Sequence, residues 1–132
     1  MLNLLSDIQE QLRLTYLIVA HDLALVEHFS LRVGVMYLGG LAEVGPTEQV
    51  FTRPSHPYTR ALLASVPRPD PDHVIPQGVI FGEVGSALAP PPGCKFHPRC
   101  PVAIKPCSVQ PPPWSRVGAD HRASCHLLEA SR

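Results

Sequence analysis

The sequence predicts an α/β segment over residues 1–66, followed by a small irregular, proline-rich, cysteine-containing segment over residues 67–132. Three observations carry this. Apolar periodicity alternates between helical and strand spacing in the first half. Only 3 of the 16 prolines lie in residues 1–66, against 13 in residues 67–132. All four cysteines fall between residues 94 and 125.

The first segment justifies its elements in order. Leu2, Leu4, Leu5, Ile8 and Leu12 recur at helical spacing, with Asp7, Gln9, Glu10 and Gln11 between them, so an amphipathic helix opens the chain without a clear cap. Leu14–Ala20 (LTYLIVA) is unbroken and apolar, the pattern of a parallel strand buried on both faces. His21 and Asp22 end that run, and Asp22 is a candidate cap for a short helix through Leu23, Val26 and Phe29. Arg32–Tyr37 and Leu41–Val44 read as strands joined by a turn at Gly39-Gly40. Gly45-Pro46-Thr47 opens a short helix to Phe51, and Ser55 is placed to cap another that has Pro57 in its first turn. A doubly buried strand needs two neighbours. The segment supplies too few strands, so it is expected to be the back half of a larger α/β domain.

The joint is expected at Val66–Asp72 (VPRPDPD), where alternate prolines exclude helix and favour an extended strap. Beyond it, Trp114 is expected to cover a small core. Charge is balanced, with 11 basic and 11 acidic side chains, which removes the electrostatic case for a nucleic-acid or anionic-membrane binder. No apolar run reaches the ~18 residues of a membrane span, and the N-terminus lacks the features of a secretory signal. A soluble intracellular chain is expected, with its cysteines as thiols or metal ligands before disulfides.

The residue blocks Thr15–Ala24 (TYLIVAHDLA) and Arg32–Gly39 (RVGVMYLG) resemble the C-terminal half of an ABC-transporter ATPase domain. Glu43–Glu48 (EVGPTE), His56–Leu63 (HPYTRALL) and Gly93–Pro101 (GCKFHPRCP) narrow the resemblance to the ATPase subunits of oligopeptide/dipeptide importers, and it covers nearly the whole chain. The implied fold is a partial ABC-ATPase (P-loop NTPase) domain over 1–66 with that subfamily's C-terminal extension over 67–132. The phosphate loop, signature motif, Gln loop and Asp-Glu strand end are absent from the sequence. In the family they bind phosphates and Mg²⁺ and polarise the attacking water. The chain is therefore expected to be a fragment that does not hydrolyse ATP by itself. The implied partners are a second ATPase subunit and transmembrane permease subunits, and the implied place is the cytoplasmic face of the plasma membrane.

His21 stands just beyond the carboxyl end of the expected strand, where open α/β sheets bind ligands. A lone histidine there reads more readily as satisfying backbone groups. The resemblance instead makes it the switch histidine, contacting the nucleotide's γ-phosphate with ATP and Mg²⁺ bound. His28 reads as a surface group and His56 as structural.

Cys94, Cys100, Cys107 and Cys125 are separated by five, six and seventeen residues, with no Cys-x-x-Cys pair. So little periodicity cannot fold this segment by packing alone, and a metal centre would fix its loops. The resemblance implies a [4Fe–4S] cluster on these four residues. Zinc is the alternative, with His97, His121 and His126 near enough in sequence for a mixed site. Two rival functions remain open at this stage: a free-standing metal-binding module, and a remnant of a truncated gene.

Overall fold

The computed structural model describes residues 2–66 and 85–131, so the strap expected at 66–72 lies, apart from Val66, outside the described residues. Helix α1 spans Leu2–Leu12. It ends where Arg13 turns left-handed (φ 52°) and Leu14 N–H reaches back to Gln9 C=O at 3.2 Å. That six-to-one bond satisfies a carbonyl the helix end would leave open.

Leu14–Ala20 is not a strand. It runs as irregular backbone, with Leu17 97% and Val19 96% exposed, and the described strands leave it without a ladder partner. An apolar run becomes a parallel strand only when neighbours supply hydrogen bonds on its edges. The expected cap is present: Asp22 Oδ1 accepts from the N–H groups of Ala24 (3.0 Å) and Leu25 (3.3 Å) at the head of α2, Leu23–Phe29.

Four antiparallel strands form one sheet in the order β1-β2-β4-β3: β1 is Arg32–Tyr37, β2 Gly40–Pro46, β3 Trp114–Gly118 and β4 His121–Ser124. The β1–β2 turn sits one residue earlier than expected. Leu38 (φ 43°) and Gly39 (φ 71°) are its two left-handed residues, and Gly40 already pairs with Tyr37. The second segment is less irregular than its prolines suggest, because β3 and β4 form a hairpin. β4 then pairs with β2, so one sheet draws strands from both sides of residue 66.

Cross-strand partners share a face of a sheet. Val35, Glu43, Ala123 and Ser115 therefore lie on one face, and all four are buried. Helices α3 (Thr47–Thr52) and α4 (Pro57–Ala64) pack beside β2 and contribute buried Val50, Thr59 and Ala61. α4 is capped by His56, not Ser55: His56 Nδ1 accepts from Tyr58 N–H at 3.0 Å. Tyr37, Tyr58 and Phe96 form an aromatic knot, with centroids 4.7–5.3 Å apart, that ties the hairpin and α4 to the second segment. Trp114 is 46% exposed at the start of β3 and does not cover a core; Phe96, 2% exposed, has that role.

Candidate functional site

Phe96 stands in a short chain segment that the aromatic knot fixes against the sheet, and cysteines flank it. Gly93 has φ 72°, and a Cβ there would lie 2.4 Å from Cys107 C=O. Only glycine permits that approach. The following N–H, of Cys94, donates to the same carbonyl at 2.8 Å, so two of the four cysteines are joined through the backbone.

A 3₁₀ turn at His97–Arg99 starts with His97 N–H on Cys94 C=O (2.9 Å) and ends with Cys100 N–H on His97 C=O (3.3 Å). A second, Lys105–Ser108, carries Cys107, whose N–H donates to Ile104 C=O at 2.9 Å. Cys125 leaves β4 and accepts from Leu128 N–H at 3.1 Å. Turn geometry aims the first three, and sheet register sets the fourth.

All four cysteines are free thiols, and all four line one small cavity, whose wall also includes Phe96, His56, His97 and His126. Cys107 and Cys125 are buried; Cys94 and Cys100 are half-buried. No carboxylate is on that wall among the described residues. Burial pushes the thiols of Cys94, Cys100 and Cys125 up, and neighbouring thiols in the set push further in the same direction. Without a cation these three thiols are held protonated; a bound cation would reverse that logic by favouring thiolates. Among the described residues, no group of three or more His, Cys, Asp or Glu side chains is placed so as to hold a metal ion. By residue type alone, four cysteines and no carboxylate on one cavity lining are the donors a thiophilic ion would take.

The three histidines named for a mixed site separate. His97 Nδ1–H donates to Cys94 C=O at 2.9 Å and His126 Nε2–H to Gln110 C=O at 3.0 Å, both rings standing on the cavity wall. His121 instead pairs with Glu43 at 2.6 Å and does not line the cavity. His21 is exposed, next to the α2 cap and remote in sequence from the cysteines, so the two expected sites do not come together.

Sequence reading missed the support of this site. Glu43, 0% exposed, accepts from Ser55 N–H (2.8 Å) and His121 through Oε1, and from His56 N–H (2.9 Å) through Oε2. One carboxylate thereby joins β2, β4 and the entry to α4. An acid flanked by Leu41, Ala42 and Val44 was the available signal, because a charge within an apolar strand is rarely buried unless paired. His56 is 3% exposed, and burial lowers its pKa to about 4 against an opposing pull from Glu43. The ring is neutral at ordinary pH.

Residues 42–107 match the family described as "Oligopeptide/dipeptide transporter, C-terminal region". A probable peptide ABC transporter ATP-binding protein of Sinorhizobium fredii is 44% identical over 126 residues, 96% of this chain and 36% of the relative. A putative peptide import ATP-binding protein of Brucella ovis is 45% identical over 93% of this chain and 39% of its own length. Another, from Brucella abortus, is 50% identical over 95% of this chain and 36% of its own length. The chain thus spans a little over a third of the curated relatives it matches. No helix among the described residues is long and apolar enough to cross a membrane.

Proposed function

This chain belongs to the oligopeptide/dipeptide transporter C-terminal-region family, and on that premise we propose that it is the C-terminal portion of the ATP-binding, energy-coupling subunit of a peptide importer. The observation that carries this is the 44–50% identity to peptide import and peptide ABC transporter ATP-binding proteins across nearly its whole length. Residues 1–66 serve as the closing part of the nucleotide-binding domain, and residues 67–132 as its extension. Partners are a second ATP-binding subunit and the permease subunits, on the cytoplasmic face of the membrane.

The exposed apolar run Leu14–Ala20 supports the assignment. Seven residues written for burial, carried on the surface by the described chain, suit a strand that joins the sheet of a larger nucleotide-binding domain. His21, directly after that strand, then lies at the sheet's carboxyl edge and donates a hydrogen bond to the γ-phosphate of ATP held with Mg²⁺.

Cys94, Cys100, Cys107 and Cys125 hold one metal centre, a [4Fe–4S] cluster, with zinc as the alternative. Support comes from their shared cavity. A bound cluster supplies a cross-link between loops and a redox couple. The protein's part is to bring Cys94 to Cys107 through the Gly93 turn and Cys125 to them through the register of β4. Metal binding at such a site would be coupled to local folding of the loops that carry the cysteines.

The test joins this chain to its upstream coding sequence and measures Mg²⁺-dependent ATP hydrolysis. Activity that falls with His21→Ala while the melting temperature holds is expected. No activity in the extended protein, or micromolar ATP binding by the 132-residue chain alone, overturns the reading. Anaerobic purification with iron, sulfide and zinc analysis decides the metal, about four iron and four sulfide marking the cluster.

A further inference from the structure

Cys94 and Cys107 meet through their backbones as well as through the cavity. Cys94 N–H donates to Cys107 C=O at 2.8 Å. With standard bond lengths, that contact keeps the two Cα atoms within about 6.7 Å of each other, inside the ~4.4–6.8 Å that disulfides span. The left-handed Gly93 holds the approach, since a Cβ there would stand 2.4 Å from the Cys107 carbonyl oxygen and 3.0 Å from the Ser108 carbonyl carbon. Separation is not enough, because the two side chains must also point into common space. Here both line one small cavity, and both are free thiols. No other pair of the four cysteines shares a direct backbone hydrogen bond among the described residues.

We propose that Cys94 and Cys107 form a reversible disulfide in the presence of a peroxide, which locks the loop between them and withdraws two thiols from the four-cysteine set. Cys94 is half-buried and also lines a second, larger cavity beside Tyr37, Lys95 and Ser124, so a small oxidant meets it first; Cys107 is buried. The Cys94 sulfur attacks one oxygen of hydrogen peroxide, the O–O bond breaks, and a sulfenic acid and water result. The Cys107 sulfur then attacks that sulfenic sulfur. The S–S bond forms, the S–O bond breaks, and the hydroxyl leaves as a second water with the thiol proton. Two electrons pass from the sulfur pair to the peroxide, so two thiols and one peroxide give one disulfide and two waters. A dithiol reductant returns both electrons by thiol–disulfide exchange. The inference needs no metal and stands on the backbone geometry of these two residues.

The full chain is reduced, freed of metal with a chelator and treated with hydrogen peroxide. Burial holds the Cys94 thiol high, which slows its attack, so the reaction is run for hours at about pH 8.5. Remaining thiols are alkylated and the chain is mapped by peptide mass spectrometry without reduction. A chain lighter by two hydrogens is expected, with a Cys94–Cys107 link inside one molecule and with Cys100 and Cys125 alkylated. Closing this 14-residue loop should raise the melting temperature by about 5–10 °C, and dithiothreitol should reverse the rise. In Cys107→Ser, Cys94 should stop at the sulfenic acid and be trapped by dimedone.

Four alkylated cysteines after peroxide overturn the proposal. A link joining any other pair, or one found only between chains, overturns it equally. The map is read on wild type, so the result does not depend on the folding of the variant. Anaerobic Co²⁺ titration of the same reduced chain tests the metal reading separately. No sulfur-to-cobalt charge-transfer band there overturns the metal centre, while the peptide map alone decides the bridge.

Discussion

Removing the Glu43 carboxylate should unfasten the sheet from the entry to α4. The carboxylate accepts three hydrogen bonds, from Ser55 N–H, His56 N–H and His121 Nε2, at 2.6–2.9 Å and with no exposure of the residue to water. Bonds to a charged acceptor contribute about 1.5–3 kcal/mol each, and breaking a buried pair from one side costs about 3–5 kcal/mol. Glu43→Ala is therefore expected to lose about 4 kcal/mol, allowing for water entering the space. For a domain of this size that is a fall of roughly 15 °C in melting temperature. Glu43→Gln should lose somewhat less, because its single oxygen can serve two donors and its amide faces the third. Urea unfolding of both variants, and of His121→Ala alone and combined with Glu43→Ala, measures the effect. The double variant should fall short of additivity by at least about 1 kcal/mol, since the two side chains share one bond. Both Glu43 variants lying within about 1 kcal/mol of wild type would refute the reasoning, because the donors would then have found equivalent partners.

Gly93→Ala should cost about 2–3 kcal/mol, from a left-handed alanine and the loss of the Cys94 N–H to Cys107 C=O bond, and should abolish Co²⁺ uptake in an anaerobic titration followed by sulfur-to-cobalt charge-transfer absorption. Leu38→Asn should raise stability by about 1 kcal/mol, because asparagine tolerates the left-handed turn position that leucine occupies at φ 43°; a thermal melt checks it. Metal-free protein should lose stability on acidification from pH 6.5 towards pH 4. His56 takes up a proton at about 4 when folded and near 6.5 when unfolded, so the unfolded chain binds more protons across that window. The contribution is about 3 kcal/mol, present above pH 6.5 and gone below pH 4; a pH series of melts should be flatter for His56→Asn.

Local chemistry was enough for much of the chain. The Asp22 cap, the strands Arg32–Tyr37 and Leu41–Val44, and the short helices after Pro46 and Pro57 follow from residue types within a few positions of one another. The four cysteines could be singled out by type and by their confinement to a proline-rich segment, and His21 by its place after an apolar run. The residue blocks that marked the family needed no coordinates either. What sequence alone could not decide depends on partners distant along the chain. Leu14–Ala20 has the composition of a strand, but strand formation requires neighbouring edges, and the described residues pair with one another instead. The β3–β4 hairpin carries only a weak alternating pattern, and its attachment to β2 is settled by the pairing of Glu43 with Ala123 and Val44 with Arg122. Glu43, His56 and His121 lie 13 and 78 positions from their polar partners, and only register brings them together. The shared cavity of the cysteines has the same origin: two local turns and a left-handed glycine set three of them, and the register of β4 supplies the fourth.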